Sequence, residues 1–345
     1  MNEAVDRNTA DTVAGLRFID VHHHLLLPEY DAALKRAGAY DPSRPMRKGD
    51  TPQVVCEKMA ELGIEAAIAN PLSVAGVHHG DDANARYLTE SVNEAQAKFI
   101  ADTGGRLGFF AALPLPDVDG ALTQMQHALD VLKADGVIFL SHQNGVHIGD
   151  PRFAPLYAEM DRRGTIAFIH PTVPPGVEQL NLKLWPVFIE YTFETTRVAA
   201  NLIYHEIMAR YSNIKWILAH AGGTLPFLAM RMRLMDEFEV GRKPPFPFCD
   251  VSPPFIERVP KGVQAYLDKF YFDVALSGDR APMAALTEMA QPDRILYGSD
   301  WPFVEREFVL EQVENLRTMP YFAGGRFAAM ERGNAAKLFP RFAGR

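Results

Sequence analysis

The sequence predicts an α/β fold, a (β/α)8 TIM barrel with loop insertions after its first and fifth strands. Three observations carry this expectation. Short runs rich in β-branched and aromatic residues recur along the chain, each followed by a longer stretch with helical spacing, the alternation that builds parallel βαβ units. Several of these runs are nearly continuous in apolar residues, as in I-A-F-I-H at 166–170, so both faces of those strands should be covered. The length, 345 residues, suits one large barrel domain as well as two smaller domains.

The predicted strands come in order at 18–22, 64–70, 107–115, 136–140, 166–170, 214–220, 270–275 and 295–300. Between them helices are expected at 51–62, 82–102, 117–133, 151–163, 193–211, 224–239, 281–290 and 305–318. Local chemistry marks some of the ends. Asp117 stands where an N-cap would accept from the first turn, and Pro151 after Asp150 suits a first helical turn, whose N–H has no intrahelical partner anyway. Gly63, Gly136 and Gly164 precede or open strands, where a left-handed residue is expected to end the preceding helix. The segments 28–50, 171–191 and 241–260 break the alternation, are rich in proline, glycine and charge, and read as long loops or small excursions. The first two follow strands one and five, on the face where a barrel builds its active site. Residues 1–16 read as an N-terminal extension and 17–345 as a single domain.

Composition narrows the function. With 48% hydrophobic and 23% charged residues the chain can bury a sizeable core, which excludes disordered and collagen-like classes. A net charge of -8 supplies no positive field for a polyanion, so nucleic acid is not an expected partner. No apolar run reaches the ~18 residues that a bilayer span needs, so no membrane partner is expected either. Met1 to Gly15 are polar and acidic, unlike a signal peptide, and Cys56 and Cys249 cannot form a disulfide framework. A soluble cytoplasmic protein in a reducing compartment is the expectation.

The chemistry gathers at strand ends. Strand one ends D-V-H-H-H, and alternation across a strand points Asp20, His22 and His24 one way and His23 the other. Two imidazoles on one inward face make a chelating pair. Strand five ends in His170, strand six in His220 and strand eight in Asp300, each at the C-terminal end where barrel enzymes place their chemistry. Imidazole nitrogens with a carboxylate suit a borderline divalent ion such as zinc, or manganese or iron with more oxygen ligands. His78, His79, His142 and His147 fall in loops on the same face and read as solvated, and His127 and His205 fall inside helices.

Motifs distributed nearly end to end then carry a resemblance. They are D-V-H-H-H at 20–24, F-F-A-A-L-P-L-P-D at 109–117, G-V-I-F-L at 136–140, I-H-P-T at 169–172, A-H-A-G-G-T-L-P-F at 219–227 and Y-G-S-D-W-P-F at 297–303. The chain resembles the decarboxylase branch of the amidohydrolase superfamily, the group of aminocarboxymuconate-semialdehyde decarboxylase and the nonoxidative aromatic acid decarboxylases. The resemblance implies one divalent metal, zinc first and manganese second, held by His22, His24, His170 and Asp300 with His220 beside it. A single metal is implied because 136–140 lacks the strand-four lysine of binuclear members. His170 is followed by Pro171, Thr172 and Val173 rather than the Pro-Trp-Asp of the muconate enzymes, and with Pro174 and Pro175 this looks more like methylsalicylate decarboxylases.

Further roles follow from the same resemblance. Arg231, eleven residues after His220, and Arg47, with Arg44 behind it, are implied as substrate-binding arginines, Arg231 reaching across a homodimer. A guanidinium fork matches a carboxylate in geometry and charge. Trp301, Phe303, Trp185 and Phe188 are candidates to wall a planar ring. The implied reaction is loss of carbon dioxide from an ortho-hydroxy aromatic, salicylate-like acid, with Asp300 delivering a proton to the ring carbon and His220 polarising or deprotonating. The same site could instead hydrolyse a lactone or a related ester or amide, with Asp300 as proton shuttle. No G-x-G-x-x-G follows the first strand and no P-loop occurs, so no nucleotide cofactor is expected.

Overall fold

A computed structural model describes residues 12–40, 49–71, 76–234 and 255–345. Eight strands lie side by side in chain order: β1 (Phe18–His24), β2 (Ile64–Asn70), β3 (Leu107–Ala111), β4 (Gly136–Leu140), β5 (Ile166–His170), β6 (Lys215–Leu218), β7 (Tyr271–Asp273) and β8 (Ile295–Leu296). Every neighbouring pair is parallel, and the ring closes where Val21 N donates to Tyr297 O at 3.0 Å and His24 N to Trp301 O at 2.7 Å. β3, β4 and β5 are buried along their whole lengths, as continuous apolar runs between an interior and a helical shell require.

The shell consists of α1 (Pro28–Arg36), α2 (Pro52–Glu61), α3 (Asp82–Ala101), α4 (Val118–Asp130), α5 (Ala154–Arg163), α6 (Glu190–Tyr204), α7 (Leu225–Arg233), α8 (Arg280–Met289) and α9 (Arg306–Thr318), with shorter turns between. Side-chain caps start four of them. Thr51 accepts from Val54 N, Asp81 from Asn84 N, Asp117 from Gly120 N and, at the start of α8, Asp279 from Arg280 N, each satisfying a donor that the helix leaves free. α5 ends on Gly164 in the left-handed region, as expected, and Gly63 enters β2 the same way. Near the C-terminus, Asn334 Nδ2 donates to the carbonyls of Pro292 and Ile295 at 2.9 Å each, which lays that segment against the start of β8. Among the described residues no helix is long and apolar enough to cross a membrane.

Several boundaries differ from expectation. β1 runs on to His24, whereas β3, β6, β7 and β8 stop short of the predicted 115, 220, 275 and 300. His220 and Asp300 therefore sit in turns beyond their strands, with φ of 55° and 59°. The predicted helix 193–211 begins at Glu190 and ends at Tyr204, and His205 caps it rather than lying inside. Gly136 is not a left-handed residue. It opens β4, where a Cβ would stand 2.4 Å from the carbonyl oxygen of Ile166, so its role is close approach of two strands. The loop after β1 contains α1, and most of 241–260 lies outside the described residues. Of the predicted extension, Val13 is buried in the core.

Candidate metal centre

His22 and His24 from the end of β1, His170 from the end of β5 and Asp300 from the turn after β8 come together. All four are buried, and each offers one ligand atom within 4.8 Å of the others. His22 Nε2 and His24 Nε2 stand 3.2 Å apart and lie 3.2 and 2.9 Å from Asp300 Oδ1. The His170 ring centroid is 5.1 Å from that of His22 and 5.0 Å from that of His24. His170 Nδ1 donates to Pro171 O at 2.7 Å, so the neutral ring keeps its lone pair on Nε2. His220 completes the group, its Nε2 3.5 Å from Asp300 Oδ2.

The electrostatics divide these groups by partner. Burial lowers the His22 pKa, but Asp273 and Asp300 outweigh burial and lift it to about 10. Burial, reinforced by the neighbouring imidazoles of His24, His22 and His220, pushes His170 well below its ordinary value and keeps it neutral. Burial would raise the Asp300 carboxyl, yet His22, His220 and His24 hold it well below the usual carboxylate range. Three imidazoles and one ionised carboxylate are a donor set for a single divalent cation. Two buried atoms facing this space, His220 Nε2 and Asp300 Oδ1, have no hydrogen-bond partner among the described residues, which a cation and its ligands would remedy. The residues fit the metal.

Two carboxylates hold this group from behind. Asp273, the last residue of β7, lies 2.9 Å from His22 Nδ1 through Oδ2, and its Oδ1 accepts from His220 N at 3.0 Å. Asp20, which strand alternation points the same way as His22 and His24, lies outside the ligand cluster. A register irregularity between Asp20 and His23 turns it instead to His23 Nδ1 at 3.1 Å and to Ser299 Oγ, which donates at 2.6 Å. Neither Asp273 nor the buried Glu194 figured among the expected residues. The signal for Asp273 was a carboxylate ending an apolar strand, and for Glu194 one spaced four residues between Glu190 and Val198 on the buried face of α6.

The remaining candidates are scattered. Phe303 packs edge-on against His24, centroids 4.4 Å apart, and Trp301 passes its carbonyl to His24 N. Trp185 and Phe188 stack on each other but are 75% and 69% exposed, so they wall no enclosed site within this chain. Arg231 is exposed on α7, and Arg47 and Arg44 lie outside the described residues. His142 and His147 face each other across a two-residue hairpin, bonded to Val173 O and Glu194, and His78 pairs with Asp82. None of these joins the ligand cluster. His127 pairs with Glu94 across two helices.

With the barrel and its buried centre in view, relatives give them a context. Residues 19–341 match the amidohydrolase family, and the chain belongs to it, among the decarboxylases of that superfamily. It is 33% identical over 330 residues to the 6-methylsalicylic acid decarboxylase of Aspergillus aculeatus, covering 94% of this chain and 96% of that protein. The 6-methylsalicylic acid decarboxylase of Penicillium expansum is 31% identical over 329 residues, covering 94% and 97%. The 5-carboxyvanillate decarboxylase of Novosphingobium aromaticivorans, solved with manganese and 4-hydroxy-3-methoxy-5-nitrobenzoic acid, superposes with a TM-score of 0.79 at 18% identity over 94% of this chain and 96% of that one, a likeness of fold.

Proposed function

We propose that this chain is a metal-dependent, nonoxidative decarboxylase of an ortho-hydroxy aromatic acid of the 6-methylsalicylate type. The observation that carries the reading is the buried group of Asp300, three ligand imidazoles and His220 at one end of the barrel. Two relatives at 33% and 31% identity, both 6-methylsalicylic acid decarboxylases, support the substrate class. Bound by His22, His24, His170 and Asp300, a divalent cation would supply Lewis-acid polarisation and charge compensation for adjacent substrate oxygens. The nitrogen-rich donor set favours zinc, and the manganese in the 5-carboxyvanillate enzyme makes manganese the second candidate.

Direct loss of carbon dioxide would leave an aryl anion whose charge lies in the ring plane, so the ring carbon is protonated first. Asp300, held as a carboxylate by its imidazole neighbours, takes the proton of the ortho hydroxyl and passes it to the carbon that bears the carboxylate. The carbon–carbon bond then breaks, its electron pair restores the aromatic ring, and carbon dioxide leaves. His220 then gives a proton to the oxygen through Nε2 and regains one from solvent as product leaves, so each turnover consumes one proton. Burial of the five side chains excludes water that would otherwise compete for the proton. Arg47 and Arg231 are assigned to the substrate carboxylate. Arg231 shares the exposed face of α7 with Phe227 and Met230, which supports a homodimer in which it serves the partner's site.

The test is incubation of zinc- or manganese-loaded enzyme with salicylates, resorcylates and simple lactones, each followed by chromatography and carbon dioxide release. Asp300→Asn should lower decarboxylation by at least ~10²-fold in preparations that retain metal, because a neutral amide neither accepts nor delivers the proton. An undiminished rate in that metal-replete variant overturns the role of Asp300. Consumption of lactones alone replaces the decarboxylase with a hydrolase.

A further inference from the structure

We propose that Asp273 is a positioning residue for both halves of the centre: it fixes which nitrogen of His22 faces the ligand cluster, and it holds the turn that presents His220. The inference rests on the metal reading given above.

Asp273 is completely buried at the end of β7 and makes three contacts. Oδ2 lies 2.9 Å from His22 Nδ1, and Oδ1 accepts from His220 N at 3.0 Å and from Ala275 N at 2.9 Å. Oδ2 is the accepting atom of this pair, so the hydrogen between Asp273 and His22 is carried on Nδ1. The atom of His22 left to face His24 and Asp300 is therefore Nε2, and it stands 3.2 Å from His24 Nε2 and 3.2 Å from Asp300 Oδ1. The other oxygen works on the backbone. His220 and Ala221 both take left-handed conformations, φ 55° and 56°, which residues with a Cβ adopt only where the surroundings impose them. The bond to His220 N pins the first of the two.

A third residue keeps the space for this arrangement. A Cβ on Gly298 would stand 2.9 Å from the Cβ atoms of both Asp273 and His22, so only glycine lets the two meet. One side chain thus ties a strand-one ligand to a strand-six proton carrier. A change at Asp273 reaches both without touching either ring.

Asp273→Asn separates the two tasks. The amide oxygen can still accept from His220 N and Ala275 N, but the amide nitrogen would face His22 Nδ1 as a donor and force the hydrogen of that ring onto Nε2. Affinity for zinc and manganese, measured by chelator competition, should fall by about 10- to 100-fold, while the metal-free variant melts close to the metal-free wild type. In zinc-loaded wild type, nitrogen NMR of labelled histidine should show His22 carrying hydrogen on Nδ1 and bound through Nε2. Wild-type metal affinity in Asp273→Asn overturns the proposal, as does coordination of His22 through Nδ1. If the variant does not fold, the wild-type spectrum decides alone. A wild-type protein that binds neither metal overturns the metal reading itself, and this inference with it.

Discussion

Glu194 is a buried carboxylate that survives because donors surround it. Its Oε2 accepts from Ser141 Oγ at 2.8 Å and faces His147 Nε2 at 3.1 Å, while its Oε1 accepts from Arg197 at 2.7 Å. Ser141 Oγ in turn accepts from Thr172 N, two residues beyond His170, so the chain leaving β5 is anchored to α6 through this carboxylate. Burial alone would raise its pKa, but the hydrogen bonds from His147, Arg197 and Ser141 bring it below the ordinary 4.5. The sign is that of a depressed acid. The unfolded chain binds the proton first as pH falls, so the contribution to stability is complete above about 4.5 and disappears as pH drops through the folded value. Glu194→Gln should unfold at lower urea concentration than wild type at pH 7, with the gap narrowing by pH 3.5. A gap that is constant with pH would show that charge plays no part. Glu194→Ala, which leaves His147 and Arg197 facing a cavity, should lose of the order of 3 kcal/mol at pH 7.

At the scale of elements, turns carry more of the constraint than helices do. Gly223 stands before α7 at φ 66°, and a Cβ there would lie 2.0 Å from the carbonyl oxygen of Thr192 at the start of α6. Gly223→Ala combines a left-handed penalty with a backbone clash and should cost about 3 kcal/mol or more in urea unfolding. Gly176→Ala is its control. There φ is 77°, but a Cβ meets only the Gln179 side chain at 3.6 Å, so about 1 kcal/mol is expected. Equal losses at the two positions would remove the clash from the explanation. The same distinction explains what the sequence made legible. Thr51, Asp81 and Asp117 cap helices through bonds to residues three positions away, and a cap of that kind can be recognised locally, as Asp117 was. The turns at His220 and Asp300 are held by Asp273 and by Asp300 N donating to His22 O at 2.9 Å, partners 53 and 278 residues distant, so the strands could only be extrapolated into them.

At the scale of the molecule, the metal-capable cluster was legible because four strand ends agreed, and its ligands were singled out by the family resemblance; the supporting carboxylates were not legible, because each is one residue with no repeat to mark it. The aromatic residues divide the same way. Phe303 lies beside His24, whereas Trp185 and Phe188 face outward and need another surface to cover them. α7 presents exposed apolar side chains of its own: Phe227 and Met230 are 83% and 69% exposed, and with Leu234 just past its end they fall at i, i+3 and i+7, one stripe of the helix. A single exposed apolar side chain is ordinary, but a stripe of three along one helix is the kind of surface that a partner covers. The homodimer proposed here would bury that stripe and carry Arg231 on it. Phe227→Glu places an unpaired charge there and leaves the barrel interior untouched, so the variant should run as a monomer in light scattering at tens of micromolar where wild type runs as a dimer, with an unchanged fold by circular dichroism. Because Arg231 would be withdrawn from the partner's substrate, KM should rise at least tenfold and metal affinity should stay at the wild-type value. A wild-type monomer at that concentration, or a monomeric variant with wild-type KM, would separate Arg231 from the substrate and return the stripe to some other partner.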